Sequence, residues 1–157
     1  MHSVTVRLVG IILMALSASA FGGGKHLITY TAQQDFESVK SAINEAIIGK
    51  GLVINSTSHI GEMLERTGKD LGGAKLIYIQ AESYEFCSAS VSRMTMEADP
   101  HNIVFCPYII ALYVLPKEPT KTYISFRKPL ADGTPASKKA LKEVEKLLRS
   151  IIEEALQ

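Results

Sequence analysis

The chain beyond residue 25 predicts an α+β domain: one mixed β-sheet covered by helices, in a two-layer α/β sandwich. Three observations carry that expectation. Short β-branched and aromatic segments are separated by stretches of helical period. The two long amphipathic stretches, 35–49 and 134–156, each carry one apolar stripe, so each has one face to bury. The apolar run at 103–115 is too short and too β-rich for anything but a buried strand.

The elements follow in order. His26 to Thr31, HLITYT, alternates polar and apolar residues and reads as a strand. Phe36, Val39, Ile43, Ala46 and Ile47 then fall on one helical face, with Asp35 available as N-cap and Gly49 or Gly51 as the stop. GLVINST, 51–57, reads as a second strand. Ser58 can cap a short helix from His59 to about Thr67 that buries Ile60, Met63 and Leu64, ending at Gly68. KLIYIQ, 75–80, reads as a third strand. A helix over 88–98 carries Val91, Met94 and Met96, with Met94 expected in the core, and stops at Asp99-Pro100 because proline disfavours helical geometry in the residue before it. IVFCPYIIALYVL, 103–115, is expected to be a central strand broken at Cys106-Pro107, since proline has no ladder donor. KTYISFR, 121–127, returns as its hairpin partner. Thr134-Pro135 opens the last helix, striped by Leu141, Val144, Leu148, Ile151 and Ala155, with Lys139 and Glu143, and Glu145 and Arg149, paired at i, i+4.

The first twenty residues, MHSVTVRLVGIILMALSASA, combine Arg7, an apolar run from Leu8 to Leu16 and a small-x-small ending at Ala18-Ser19-Ala20. They predict a secretory signal cleaved after Ala20. The apolar run falls short of the roughly 20 residues that span a bilayer, so no stable membrane anchor is expected after cleavage. The expected organisation is a signal peptide at 1–20, a flexible leader at 21–25 and a single α+β domain at 26–157, in the periplasm or secreted. With 17 Lys plus Arg against 16 Asp plus Glu, bulk charge points to no nucleic-acid partner. An unidentified protein or small ligand is the expected partner.

Cys87 and Cys106 are the only two cysteines. A helix over 88–98 climbs about 16 Å at about 1.5 Å per residue. A strand from Ile103 to Cys106 descends about 13 Å at about 3.3 Å per residue. A reversal at Asp99-Pro100 therefore returns Cys106 to the level of Cys87. Three roles stay open for the pair: two buried small hydrophobes, a disulfide favoured by an oxidising compartment, or a functional site. A thiol at a helix N-terminus has a lowered pKa, which would make Cys87 a nucleophile with Cys106 as its resolving partner. The Cys-x-x-Cys spacing of thiol–disulfide oxidoreductases is missing. For a metal, His59 and Met63 share a helical face at i, i+4. With the two thiolates they form a soft set suited to copper(I), or to zinc if the methionine is spared. Both have plainer readings, His59 as a solvated polar residue and Met63 as part of the apolar stripe, and His101 reads as an exposed turn residue.

The stretch from His26 to Arg127 resembles the family known as domain of unknown function 302. The resemblance rests on the opening strand and amphipathic helix, Cys87 at the head of a helix, the turn Glu97-Ala98-Asp99-Pro100, and Cys106 in the apolar strand. It implies a small α/β sandwich with one mixed sheet that pairs as a homodimer. The family typically reads Gly-Ala-Cys-Asn-Pro at the first cysteine, where this chain has Glu85-Phe86-Cys87-Ser88-Ala89; it places proline before the second cysteine, where Pro107 follows it here. The resemblance implies no reaction.

No serine-nucleophile motif, paired zinc-ligand run, haem-attachment motif or glycine-rich nucleotide fingerprint appears. The sequence thus points to a binding or accessory module with a two-cysteine site more than to an enzyme. A thiol-dependent redox or sulfur-handling enzyme using Cys87 and Cys106 is the first alternative. A structural homodimer with a stapling disulfide is the second.

Overall fold

Asp35 opens the first helix as expected: its carboxylate accepts the Ser38 backbone N–H at 3.0 Å, satisfying one of the orphan donors of the first turn. The computed structural model describes residues 20–21, 26–73, 75–130 and 133–157. Residues 1–19 of the expected signal peptide and 22–25 of the expected leader lie outside the described residues. In chain order the elements are β1 (Ala20–Phe21), β2 (Leu27–Ala32), α1 (Phe36–Gly49), β3 (Val53–Ser58), α2 (Ile60–Asp70), β4 (Gln80–Cys87) and α3 (Ala89–Ala98). A short 3-10 helix (Pro100–Phe105), β5 (Tyr108–Val114), β6 (Thr122–Arg127) and α4 (Pro135–Ala155) complete the chain.

The strands form one sheet in the order β1-β2-β6-β5-β4-β3, in which β1 adds only two residues at the edge. The class is α+β, as expected, with one sheet and a helical layer. Every neighbouring pair is antiparallel, however, so the sheet is not mixed. The alternating order leaves β2 and β3 running the same way, as a strand–helix–strand connection requires. Because α1 carries the chain from one edge of the sheet to the other, those two strands never pair.

The core lies between the sheet and the α1–α4 pair. Along β5 every second residue is buried, Tyr108, Ile110, Leu112 and Val114, and the same period places Tyr84 and Phe86 of β4 and Ile124 and Phe126 of β6 in that layer. The α1 stripe is the expected one, Phe36, Val39, Ile43, Ala46 and Ile47. On α4, Leu141, Val144, Leu148, Ile151 and Ile152 are buried, each contributing at most about 1.5–3 kcal/mol by burial. Past α1, Gly51 takes φ +72°, a conformation that suits glycine and sends the chain into β3. Among the pairs expected on α4, Arg149 and Glu145 meet at 2.9 Å, whereas Glu143 faces Lys146 at 3.8 Å rather than Lys139.

Three segments depart from the sequence reading. The third strand begins where KLIYIQ ends: residues 75–79 have no regular structure, Leu76, Ile77 and Ile79 are exposed, and the strand is QAESYEFC. Register explains the choice, since it sets Tyr84 opposite Ile110 and Phe86 opposite Tyr108, which puts two large aromatic residues into the core layer. Second, Ile103 to Phe105 is a 3-10 helix and not the head of the central strand. Asp99 accepts the His101 N–H at 2.9 Å, and Pro100 occupies the first helical position, so the turn is nucleated before the apolar residues are reached. Ile103 and Val104 are consequently 60% and 78% exposed. Third, α2 is capped at His59 with no side-chain bond, runs past Gly68 to Asp70, and leaves Met63 exposed. Met94 on α3 is exposed as well, because the face of α3 turned inward is that of Thr95.

Candidate functional site

Cys87 ends β4 and Cys106 directly precedes Pro107, the residue before β5. Since β4 and β5 pair down to Phe86 and Tyr108, the chain leaves the sheet at Cys87, makes the excursion through α3 and the 3-10 helix, and re-enters beside its point of departure. Cys106 is thereby brought near enough to act on the Cys87 thiol, although the return runs through the 3-10 helix and not down the strand on which the length estimate rested. The Cys106–Pro107 peptide bond is cis. Both cysteines are free thiols and half-buried.

Two residues that the sequence reading did not single out complete the surroundings. Ser92, one turn into α3, directs its hydroxyl to the Cys106 sulfur at 3.8 Å and shares a hydrogen bond of 3.1 Å with the Tyr108 hydroxyl. The Tyr108 backbone N–H donates to the Cys87 sulfur. The signal for Ser92 was positional: it lies four residues after the cap residue Ser88, one helical turn above it and so on the same side of α3. No sequence signal marks Tyr108, which approaches only because β5 begins there.

Burial pushes the Cys87 thiol up to about 11, reinforced by its hydrogen bond to Cys106 and by that neighbour's charge, against which the Tyr108 N–H acts only weakly. The expected lowering by the helix terminus is not seen. Cys87 is the last strand residue and precedes the N-cap, while the α3 N-terminal donors go elsewhere: the Val91 N–H bonds the Ser88 hydroxyl at 3.4 Å.

His59 and Met63 do not join the thiols. Ser58 pairs with Ser83 and Val53 with Cys87, so His59 lies at the opposite end of β4, about 15 Å or more away at about 3.3 Å per residue. His59 Nδ1 instead lies 3.3 Å from Glu82 Oε1. That carboxylate also accepts Lys40 Nζ at 2.9 Å and a short bond from the Tyr84 hydroxyl. Burial raises the Glu82 pKa, but the bonds from Tyr84 and Lys40 and the charges of Lys40 and His59 outweigh it, leaving the group below its ordinary value. Among the described residues, no group of three or more His, Cys, Asp and Glu side chains is disposed to hold a metal ion. Likewise among the described residues, no helix is long and apolar enough to cross a membrane.

Comparison with known proteins adds a family and a fold. The model of the family described as domain of unknown function DUF302 matches residues 28–155. The crystal structure of an uncharacterized conserved protein DUF302 from Bacillus stearothermophilus is similar, with a TM-score of 0.68 at 17% identity, over 84% of this chain and 99% of that one. At that identity the likeness is one of fold. No curated protein matches the chain.

Proposed function

The chain belongs to the DUF302 family, and from that premise we propose that it is an exported binding or accessory module whose site is the Cys87–Cys106 pair, taking up a soft monovalent cation of the copper(I) class. The single observation that carries the proposal is that two free thiols lie beside each other where the chain leaves and re-enters the sheet. Thiolates are the soft ligands that select copper(I), for which two sulfurs suffice, whereas a closed zinc site takes four ligands. Only two soft donors meet here, with His59 and Met63 at the far end of β4, so copper(I) is favoured over zinc. Binding releases the thiol protons to solvent, so affinity falls as pH falls.

The raised Cys87 pKa argues against the nucleophile reading. With its pKa raised chiefly by burial, the thiol stays protonated at neutral pH. Export and a homodimer remain part of the proposal, the first resting on the N-terminal segment and the second on the family resemblance. A second reading is favoured by the same proximity: in an oxidising compartment two neighbouring thiols close into a stapling disulfide.

One experiment separates them. The exported protein is weighed intact under denaturing, non-reducing conditions and then titrated against copper(I) held by the chromophoric chelator bathocuproine disulfonate. The expected result is two free thiols, one equivalent of copper withdrawn by the wild type, and none by Cys87→Ser or Cys106→Ser. A mass two hydrogens short, or equal withdrawal by the serine variants, overturns the copper site, the first in favour of the disulfide.

A further inference from the structure

At one end of the sheet β5 and β6 part company. β5 stays paired with β4 down to Tyr108, and β6 stays paired with β2 down to Arg127. The two pair with each other only from Ala111↔Ser125 to Val114↔Thr122. Continued in the same register, the ladder would set Ile109 against Arg127 and Pro107 against Pro129. Neither proline has an N–H to give, so the ladder cannot close at that end, and the split is written into the sequence.

A cavity of about 280 Å³ occupies the split. Its floor is Val144 and Leu148 of α4, its walls include Tyr108 and Ile109 on one side and Leu130 on the other, His26 lies at its margin, and Arg127 and Lys128 contribute the charge. Among the described residues, no acidic residue lines it. Lys128 is partly engaged by Glu145 at 3.5 Å, while the Arg127 side chain has no ion-pair or hydrogen-bond partner among the described residues. An apolar floor beneath an exposed guanidinium is complementary to a molecule with one apolar and one anionic end. At about 30 Å³ per water-sized group, the space holds roughly nine such groups.

We infer that this cleft binds a small amphipathic anion, an apolar body of medium-chain length carrying a carboxylate that pairs with Arg127. The site is separate from the thiol pair, and the inference does not rest on the copper proposal.

Octanoate is the probe. Titrated into the full domain with backbone amides followed by NMR, it is expected to give saturable shifts at Tyr108, Ile109, Lys128 and Leu130. Arg127→Gln, at an exposed position, is expected to weaken octanoate by about tenfold and to leave binding of octan-1-ol unchanged. Leu130→Trp, at the exposed rim, narrows the cleft and weakens both. No saturable shift at millimolar octanoate, shifts that map elsewhere, or an octanoate affinity indifferent to Arg127→Gln overturns the inference.

Discussion

Glu82, which no sequence pattern singles out, is decisive in the structure. Its side chain is only 12% exposed and ties together Tyr84, Lys40 and His59 from three elements. Its folded pKa lies below the ordinary 4.5, so the carboxylate contributes stability that is fully present above that value and is lost as pH falls through the folded value. Glu82→Gln is expected to cost about 1–3 kcal/mol at neutral pH, because it removes an ionised acceptor from three donors. It is also expected to flatten the decline in stability between about pH 5 and pH 3. Urea unfolding of both proteins across that range checks this, and an equally steep decline in the variant would assign the acid sensitivity to other groups. For the sulfurs, the length of the excursion between them pointed to a return, but by a descending strand where the structure has a 3-10 helix, and the pKa of Cys87 was not legible. It depends on burial and on a neighbour nineteen positions away.

At the scale of elements, those bounded by local chemistry were legible. Asp35 and Thr134 cap α1 and α4, each accepting a backbone N–H three residues on, and the stripes beneath them are the buried ones. The 3-10 helix was not legible, because its hold on the fold runs through the side chain of one buried residue that meets α3 and α4. Asn102 is buried, and its amide donates to the Thr95 carbonyl at 2.9 Å and to the Ser137 hydroxyl at 3.0 Å, joining the 3-10 helix to α3 and α4. Asn102→Ala takes both amide bonds away and leaves the buried Ser137 hydroxyl without its side-chain partner, and is expected to destabilise the domain by about 1–3 kcal/mol. It should also speed amide hydrogen exchange at Ile103, Val104 and Phe105 ahead of the strands. A variant within about 0.5 kcal/mol of wild type would mean that the 3-10 helix is held by something other than Asn102.

For the whole molecule, the expected cleavage after Ala20 would part the two residues of β1, so that edge belongs to the uncleaved chain alone. The buried hydrophobic core of the described residues begins at Ile28. The processed protein, beginning at Phe21, is therefore expected to unfold within about 2 °C of the uncleaved chain. N-terminal sequencing of the exported material and calorimetry of both forms check this. A midpoint lower by about 5 °C or more would make β1 a structural strand.

By itself the sequence determined the class of the fold, the helices that carry their own caps and stripes, and the break at Pro107, because each follows from periodicity, capping or proline chemistry within one segment. Only the tertiary structure decided the antiparallel order of the sheet, the exposure of 75–79 in favour of a polar-looking β4, the turn of 103–105 away from the sheet, and the separation of His59 from the thiols. In all four the outcome depends on which partner a segment meets across the sheet. Register against a distant strand outweighs the apolar character of a few neighbouring residues.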